Sequence, residues 1–256
     1  MSPFSLWISN SFYLATVFYL LGLCALIWPR RRLGSLLLAL GLACNLVSIG
    51  IRLYYSWPMQ APYQEPFWLP ACLAIFALGL SLAHRWRLAR WLIPLIAGLA
   101  LWAALFPKDY YLPFPRSNTI FSHLFLLLSA WGKACLWVAG VDALRLVLGR
   151  DEDQGAGNGR PLFLRLIVWG FVVYTLSLFV AETWSYLGWS SPVIWEDNNL
   201  PATMGTWFYY GCFLHLYLLR GWDLKRRGWF AALGMLLLFY FNYLPETGEF
   251  KPPVFL

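Results

Sequence analysis

The residue types that could do chemistry in this sequence are three histidines and one tryptophan-rich stretch. His123 and His215 lie inside long apolar runs, whereas His84 lies among arginines at the end of one. A neutral imidazole is an axial ligand of haem iron, and in an apolar run it can equally be a hydrogen-bonded residue between helices. There is no HExxH or comparable spacing, which argues against a multi-histidine metal site. We expect His84 to be a solvated loop residue.

The tryptophan-rich stretch reads WSSPVIWEDNNLPATMGTW and covers residues 189–207. Together with the preceding Glu182 and Trp184, it interleaves indole rings with carboxylates and amides. Single tryptophans near helix ends usually anchor the membrane interface. Several in one loop would also suit a flat aromatic ligand, since indoles can stack on its ring while polar groups orient its substituents. The candidate binding residues are Trp184, Trp189, Trp195, Asp197 and Trp207.

Lys133 is a charged residue in the middle of an apolar run, ten residues beyond His123. On a helix this separation is about 15 Å, which places the ammonium group near the middle of a bilayer. It should face a polar cavity or an anionic ligand group, or form a structural ion pair.

The composition is that of a protein in lipid. Of the 256 residues, 60% are hydrophobic, 19% aromatic and only 12% charged, against about 25% charged in soluble domains. Runs of the length that spans a membrane lie at 10–28, 33–51, 67–83, 91–106, 120–148, 162–183, 203–219 and 229–244. We therefore expect an all-α integral membrane protein, a bundle of about eight transmembrane helices forming a single domain over residues 1–256.

The basic residues predict the orientation. Fourteen of the 19 fall on one side of the eight-helix arrangement: Arg30, Arg31, Arg32, Arg85, Arg87, Arg90, Arg145, Arg150, Arg160, Arg165, Arg220, Lys225, Arg226 and Arg227. By the positive-inside rule that side is cytoplasmic, so both termini and the loops at 52–66, 107–119 and 184–202 lie outside. This distribution accounts for the net charge of +7 and argues against a nucleic-acid partner. The predicted location is the bacterial inner (cytoplasmic) membrane, with the tryptophan-rich loop facing the periplasm.

Three further sequence features restrict the function. The five cysteines form no CxxC or CxxCH, which excludes a dithiol motif and a covalently attached c-type haem on this chain. No basic segment precedes the first apolar run, so that run is expected to remain as a helix. LPETG at 244–248 matches a sortase signal by letter, but only eight residues follow it, and we interpret the match as chance.

The tryptophan-rich loop resembles the WWD domain of the cytochrome c assembly family, the CcsA/ResC and CcmC group of haem-handling membrane proteins. The family pattern is ExWGxxWxWDPKETWxxxTW, followed by YLH eight residues after its last tryptophan. Glu182-Thr183-Trp184 resembles the ExW, and Asp197, Trp207 and His215 keep the spacings of ten and eight residues. About six extra residues between these two anchors prevent a single assignment of Trp189 and Trp195. The PKET core is missing, with Asn198-Asn199-Leu200-Pro201 in its place.

Other segments share this resemblance. SHLFLLLSAW, with His123 and Trp131, resembles the family's HVxxxxLSYA, and RGWDLKRRGWFAALGMLLLFYF resembles its basic turn and following helix. Arg52, with Pro62 and Glu65, resembles its RWxxSGHxPLSxxYE loop more weakly. The resemblance covers an assembly-like core at residues 118–243, with a WWD-like outer loop at 182–207.

The resemblance implies a function in c-type cytochrome biogenesis. A non-covalent b-type haem would be held at the outer loop for delivery to apocytochrome c, with His123 as axial ligand, the tryptophans as a platform and Asp197 orienting loop or haem groups. His215 would be an internal haem ligand or a structural relic. Partners would be apocytochrome c or cytochrome subunits and other membrane assembly proteins.

One departure from the family leaves alternatives open. Its second outer histidine lies in an LHSYG motif, whereas no histidine follows His215 here. His123 would then pair with Met204 or Lys133, or bind a five-coordinate haem, and autonomous action as a haem lyase or cytochrome c synthetase is not favoured. The alternative function is a non-catalytic membrane subunit of a respiratory or electron-transfer complex. Inverted repeats that would favour a transporter are not evident.

Overall fold

The chain is helical throughout the residues that the structure describes. This computed structural model describes residues 3–27, 31–56, 64–108, 119–149, 161–193, 195, 200–216, 218–219 and 221–252. The helices are α1 (Pro3–Cys24), α2 (Arg31–Ser56), α3 (Glu65–Leu82), α4 (Trp86–Leu105), α5 (Ile120–Val147), α6 (Leu162–Trp189), α7 (Leu200–Leu216) and α8 (Leu224–Leu238). A π-helical turn (Phe239–Tyr243) and a 3-10 turn (Leu244–Glu246) follow α8. The predicted all-α fold is confirmed, and these ranges contain no strand.

The helices have the length and composition of membrane spans. Seven in the described ranges are long and apolar enough to cross a bilayer. The eighth, α7, has 17 residues, which is the lower end of the spanning range. The chain is therefore a multi-pass membrane protein, and the outside placement of both termini stays a prediction.

The helices on either side of the tryptophan-rich loop both extend further into it than predicted. The apolar run ends near residue 183, yet α6 continues to Trp189 and ends where Ser190 adopts a left-handed conformation with φ of 57°. The next helix, α7, starts at Leu200, so Pro201 lies in its first turn, where the missing N–H costs no helical hydrogen bond. The connection is therefore residues 190–199, which corrects the loop predicted at 184–202 and makes Trp184 and Trp189 helical, while Trp207 lies on a helix as predicted.

Two compact units make up the chain. The first comprises Met1–Pro113 and Glu246–Leu256, and contains α1 to α4. The second comprises Phe114–Pro245, contains α5 to α8, and includes the core at residues 118–243 that resembles the assembly family. The assignment of residues 1–256 to a single domain stays a prediction.

In the second unit, α5 packs most extensively against α6 and α8, because small residues let the backbones approach closely. A Cβ atom on Gly132 would lie 2.8 Å from the backbone nitrogen of Tyr174 on α6. A Cβ atom on Gly140 would lie 2.8 Å from Cβ of Met235 on α8. These two contacts set the registers in which α6 and α8 lie against α5.

A buried carboxylate fixes the start of α6. Pro161 at the N-cap position provides no side-chain cap, and Asp142 on α5 instead accepts a hydrogen bond from the backbone N–H of Phe163 at 3.0 Å. Asp142 also pairs with Arg145 at 3.6 Å, and both side chains are buried. The acidic group at a helix N-terminus is favoured by the unpaired N–H groups there.

In the first unit, residues of the 244–248 stretch have structural contacts. Glu246 accepts a hydrogen bond at 3.3 Å from the backbone N–H of Glu65, at the start of α3. The Thr247 hydroxyl accepts one at 3.4 Å from the indole of Trp102 on α4. The side chains of this tail thus contact two helices of the first unit.

Candidate functional site

An aromatic cluster joins the beginning of α5 to the end of α6. Phe125 stacks on Trp184, with ring centroids 6.3 Å apart and an interplanar angle of 24°. The ring of Trp189 packs edge-on against that of Trp184, with ring centroids 5.6 Å apart and an interplanar angle of 80°. We call Phe125, Trp184 and Trp189 the aromatic cluster. By the predicted orientation it lies at the outer face.

Trp184 provides the unsatisfied polar group of this cluster. Its indole Nε1 is buried and has no hydrogen-bond partner among the described residues. An indole N–H can only donate, so it needs an acceptor oxygen to be satisfied. Leaving such a group buried and unpaired costs about 1–3 kcal/mol.

The chain folds back on itself directly after the aromatic cluster. The Ser185 hydroxyl donates to the carbonyl of Ser191 at 2.7 Å, and the Ser191 hydroxyl donates to Val193 at 2.8 Å. These bonds hold the start of the connection against the end of α6 and leave Trp189 41% exposed. Trp195, further along the connection, is 81% exposed. Asp197 lies outside the described residues.

Trp207 occupies a different place from the aromatic cluster. Its indole Nε1 donates to the Thr175 hydroxyl at 3.0 Å, and its ring lies 5.5 Å from that of Phe171. Thr175 precedes Trp184 by nine residues on α6, which is about 13 Å along the helix. Trp207 therefore joins α7 to the middle of α6, and the structure does not bring it together with Trp184 and Trp189.

His123 lies in the first turn of α5 and is half-buried. It precedes Phe125 by two residues, which is about 3 Å along the helix and roughly 200° around it. His123 is therefore at the level of the aromatic cluster, although the two side chains leave α5 in different directions.

The other two histidines lie at or beside helix ends. His215 is exposed in the last turn of α7, with its Nδ1 2.8 Å from the carbonyl oxygen of Gly211 on its own helix. It lies roughly 25 Å from His123 along the helix axes, too far to share one iron. His84, in the turn between α3 and α4, is exposed with φ of 59°, as the prediction of a solvated loop residue requires.

Lys133 is too deep to complete the coordination of an iron at His123. The helix α5 is continuous between them, so about 15 Å of rise separates the two residues. Lys133 is buried, and its ammonium nitrogen lies 5.8 Å from the centre of the Tyr174 ring. A cation over an aromatic face is stabilised by the ring quadrupole, which gives this charge a structural role within the second unit.

The weaker sequence match in the first unit corresponds to a buried polar cluster. The Arg52 guanidinium donates to the Gln64 side chain at 3.2 Å and lies 3.7 Å from the centre of the Phe67 ring. Arg52, Gln64 and Glu65 are all buried. These contacts make Arg52 a packing residue at the junction of α2 and α3.

No group of three or more histidine, cysteine, aspartate or glutamate residues in the described ranges could hold a metal ion. Sequence reasoning missed Phe125, because one phenylalanine in an apolar run is indistinguishable from a lipid-facing residue. It also missed the serine contacts after α6, for which Ser190 and Ser191 before Pro192 were the available signal.

Comparison with known proteins agrees with the resemblance. No protein-family model matches the chain. It is 29% identical over 77 residues to the cytochrome c biogenesis protein CcsA of Cyanophora paradoxa, which is 30% of this chain and 24% of that protein. It is 31% identical over 77 residues to the protein of the same name from Prochlorococcus marinus strain MIT 9515, again covering 30% of this chain and 24% of that protein.

A longer match has lower identity. The cytochrome c biogenesis protein CcsA of Chlamydomonas reinhardtii is 23% identical over 205 residues, covering 73% of this chain and 57% of that protein. The matches thus span from about a quarter to just over half of these curated relatives. The predicted resemblance is confirmed, and the chain is similar to cytochrome c biogenesis proteins CcsA at the modest identity of a divergent relative.

Proposed function

We propose that this chain binds haem at its predicted outer face and serves in cytochrome c biogenesis. The observation that carries the proposal is the aromatic cluster, with the buried, unpartnered indole N–H of Trp184, at the same level of the second unit as His123. The name shared by the curated relatives supports it.

The residue types present suit a haem, although His123 and Phe125 leave α5 about 200° apart, so a single macrocycle would have to extend around α5 to reach both the cluster and the imidazole. His123 would provide the axial imidazole, and the indoles of Trp184 and Trp189 would offer flat apolar surface to the macrocycle. The N–H of Trp184 would donate to a propionate oxygen, which satisfies the buried donor with a charge-assisted hydrogen bond. Trp195 and Asp197 on the connection would cover the exposed edge. Bound haem would supply the vinyl groups to which cytochrome cysteines are joined by thioether bonds.

Trp207 and His215 have other roles in this proposal. Trp207 holds α7 against α6 through Thr175 and so supports the site without touching the ligand. His215 could ligate only a different haem, because about 25 Å separates it from His123. Transfer of haem to apocytochrome c, together with the assembly partners that this requires, is part of the proposal.

A second function is favoured by a departure from the family pattern. The PKET core is replaced by Asn198-Asn199-Leu200-Pro201. This departure would be expected of a membrane subunit of a respiratory or electron-transfer complex that retains the fold without synthetase chemistry. Such a subunit would copurify in fixed ratio with cytochrome subunits.

Deletion of the gene separates these functions. A biogenesis protein predicts loss of covalently bound haem from c-type cytochromes, seen by haem staining of denatured membranes, with rescue by the wild type and not by His123→Ala. A structural subunit predicts normal staining together with loss of one complex. Rescue by His123→Ala to the wild-type level would contradict the proposed role of that histidine.

A further inference from the structure

The second unit contains a cavity that the proposed haem site does not use. Its volume is about 610 Å³, within the range of roughly 300–1,000 Å³ typical of small-molecule sites. It lies between α7 and α8, and its lining continues through Phe241 of the π-helical turn to Pro245. The aromatic cluster and His123 are not among its lining residues.

Local backbone features create the space. The regular helix of α8 gives way at Phe239 to a π-helical turn, an irregularity that frequently occurs at functional sites. Gly205 and Gly234 contribute no side chains to the walls. A Cβ atom on Gly205 would meet nothing within 4 Å, so the space beside it is open. A Cβ atom on Gly234 would lie 2.7 Å from the Tyr210 hydroxyl, so a larger residue there would displace that side chain.

The walls combine aromatic rings with uncharged polar groups. Tyr209 and Tyr240 supply ring surface. Thr206 accepts a hydrogen bond from the buried Asn242 side chain at 2.7 Å. Tyr210 is buried, and its hydroxyl has no hydrogen-bond partner in the described part of the chain. An unpartnered buried hydroxyl is costly and is satisfied when a ligand brings an acceptor.

We propose that this cavity binds a neutral, membrane-soluble ring compound with carbonyl acceptors, the chemical class of the isoprenoid quinones. The ring would lie among the tyrosines, with one carbonyl accepting from Tyr210 after a small shift of that side chain, and the isoprenoid tail would extend into lipid. Haem fits less well, because the described lining has no histidine and no cation for its propionates. A phospholipid acyl chain would leave the Tyr210 hydroxyl unsatisfied. This proposal does not depend on haem binding.

Equilibrium binding of tritiated short-chain ubiquinone and menaquinone to the purified full chain in nanodiscs tests the proposal. We expect saturable binding of at least one probe at one site per chain. Gly205→Leu, which fills the open space, should weaken it by about tenfold or more. Gly98→Leu on α4, where a Cβ likewise meets nothing within 4 Å, is the matched control and should leave affinity within about twofold of the wild type.

Tyr210→Phe provides a second variant, because removing an unpartnered hydroxyl should not impair folding. We expect about fivefold weaker binding, the loss of one hydrogen bond worth about 1 kcal/mol. The absence of saturable binding of both probes would overturn the proposal. Binding that Gly205→Leu leaves unchanged, or that added phospholipid displaces competitively, would also overturn it.

Discussion

Replacement of Trp184 by phenylalanine should lower haem affinity while leaving stability almost unchanged. Phenylalanine keeps a ring between Phe125 and Trp189, at centroid distances of 6.3 and 5.6 Å in the wild type, and removes the buried N–H. Removing an unpaired donor recovers about 1–3 kcal/mol, which offsets the roughly 1–2 kcal/mol of apolar burial lost with the smaller ring. The free energy of unfolding should therefore change by less than about 1 kcal/mol.

The loss of haem affinity in Trp184→Phe has no such compensation. A hydrogen bond from Trp184 to a haem propionate is worth about 1.5–3 kcal/mol, so its loss predicts a Kd about 10- to 150-fold higher. The assay is titration of the purified apoprotein with haem, followed by Soret absorbance, with thermal unfolding of the same samples as the stability measurement.

Trp207→Phe is the matched control. The substitution removes the same indole N–H, but the N–H of Trp207 already donates to the Thr175 hydroxyl at 3.0 Å. This variant should lose about 2–3 kcal/mol of stability, from the lost hydrogen bond and the same loss of apolar burial, and should bind haem within about twofold of the wild type. Equal haem affinity in wild type and Trp184→Phe would refute the assignment of the Trp184 donor. A Trp207→Phe variant weakened as much as Trp184→Phe would refute the separation of the two tryptophans.

Two further predictions concern the packing of the second unit. Gly132→Ala places a methyl group 2.8 Å from the backbone nitrogen of Tyr174 and should destabilise the unit by about 1–3 kcal/mol. Gly98→Ala is the control, because the space around that residue is open and no destabilisation is expected. Thermal unfolding of both variants in detergent measures the difference. Asp142→Ala leaves the buried Arg145 without its carboxylate and should lower the free energy of unfolding by about 3–5 kcal/mol. The same thermal transition measures it, and a change in the transition temperature no larger than that of Gly98→Ala would contradict the buried ion pair.

The helices could be predicted from sequence because each contains an apolar run of about membrane-spanning length, but several of their ends could not. The predicted end of α6 near residue 183 was wrong because helix-compatible residues continue to Trp189, and the helix stops only at the left-handed Ser190. The start of α6 at residue 162 was predicted correctly, whereas the hydrogen bond from Phe163 to Asp142 that stabilises it could not be, because no local capping signal reports a contact with another helix.

Residue type identified Trp184 and Trp189 as candidates, but their arrangement depends on three-dimensional register. The stacking of Phe125 on Trp184 follows from the close approach of α5 to α6 at Gly132, which an apolar pattern does not encode. For the same reason the sequence grouped Trp207 with the outer tryptophans, whereas the structure places it against Thr175. The loop prediction for Asp197 falls outside the described residues and stays a prediction.

In the proposed function, His123 ligates haem at the predicted outer face. The absorption spectrum of the purified chain reconstituted with haem tests this ligation, with pyridine haemochrome quantification, for wild type, His123→Ala and His215→Ala. We expect a Soret band and near-stoichiometric haem in the wild type, loss of that signal in His123→Ala, and its retention in His215→Ala. A wild type without a Soret band, or a His123→Ala variant with the wild-type spectrum and haem content, would contradict it.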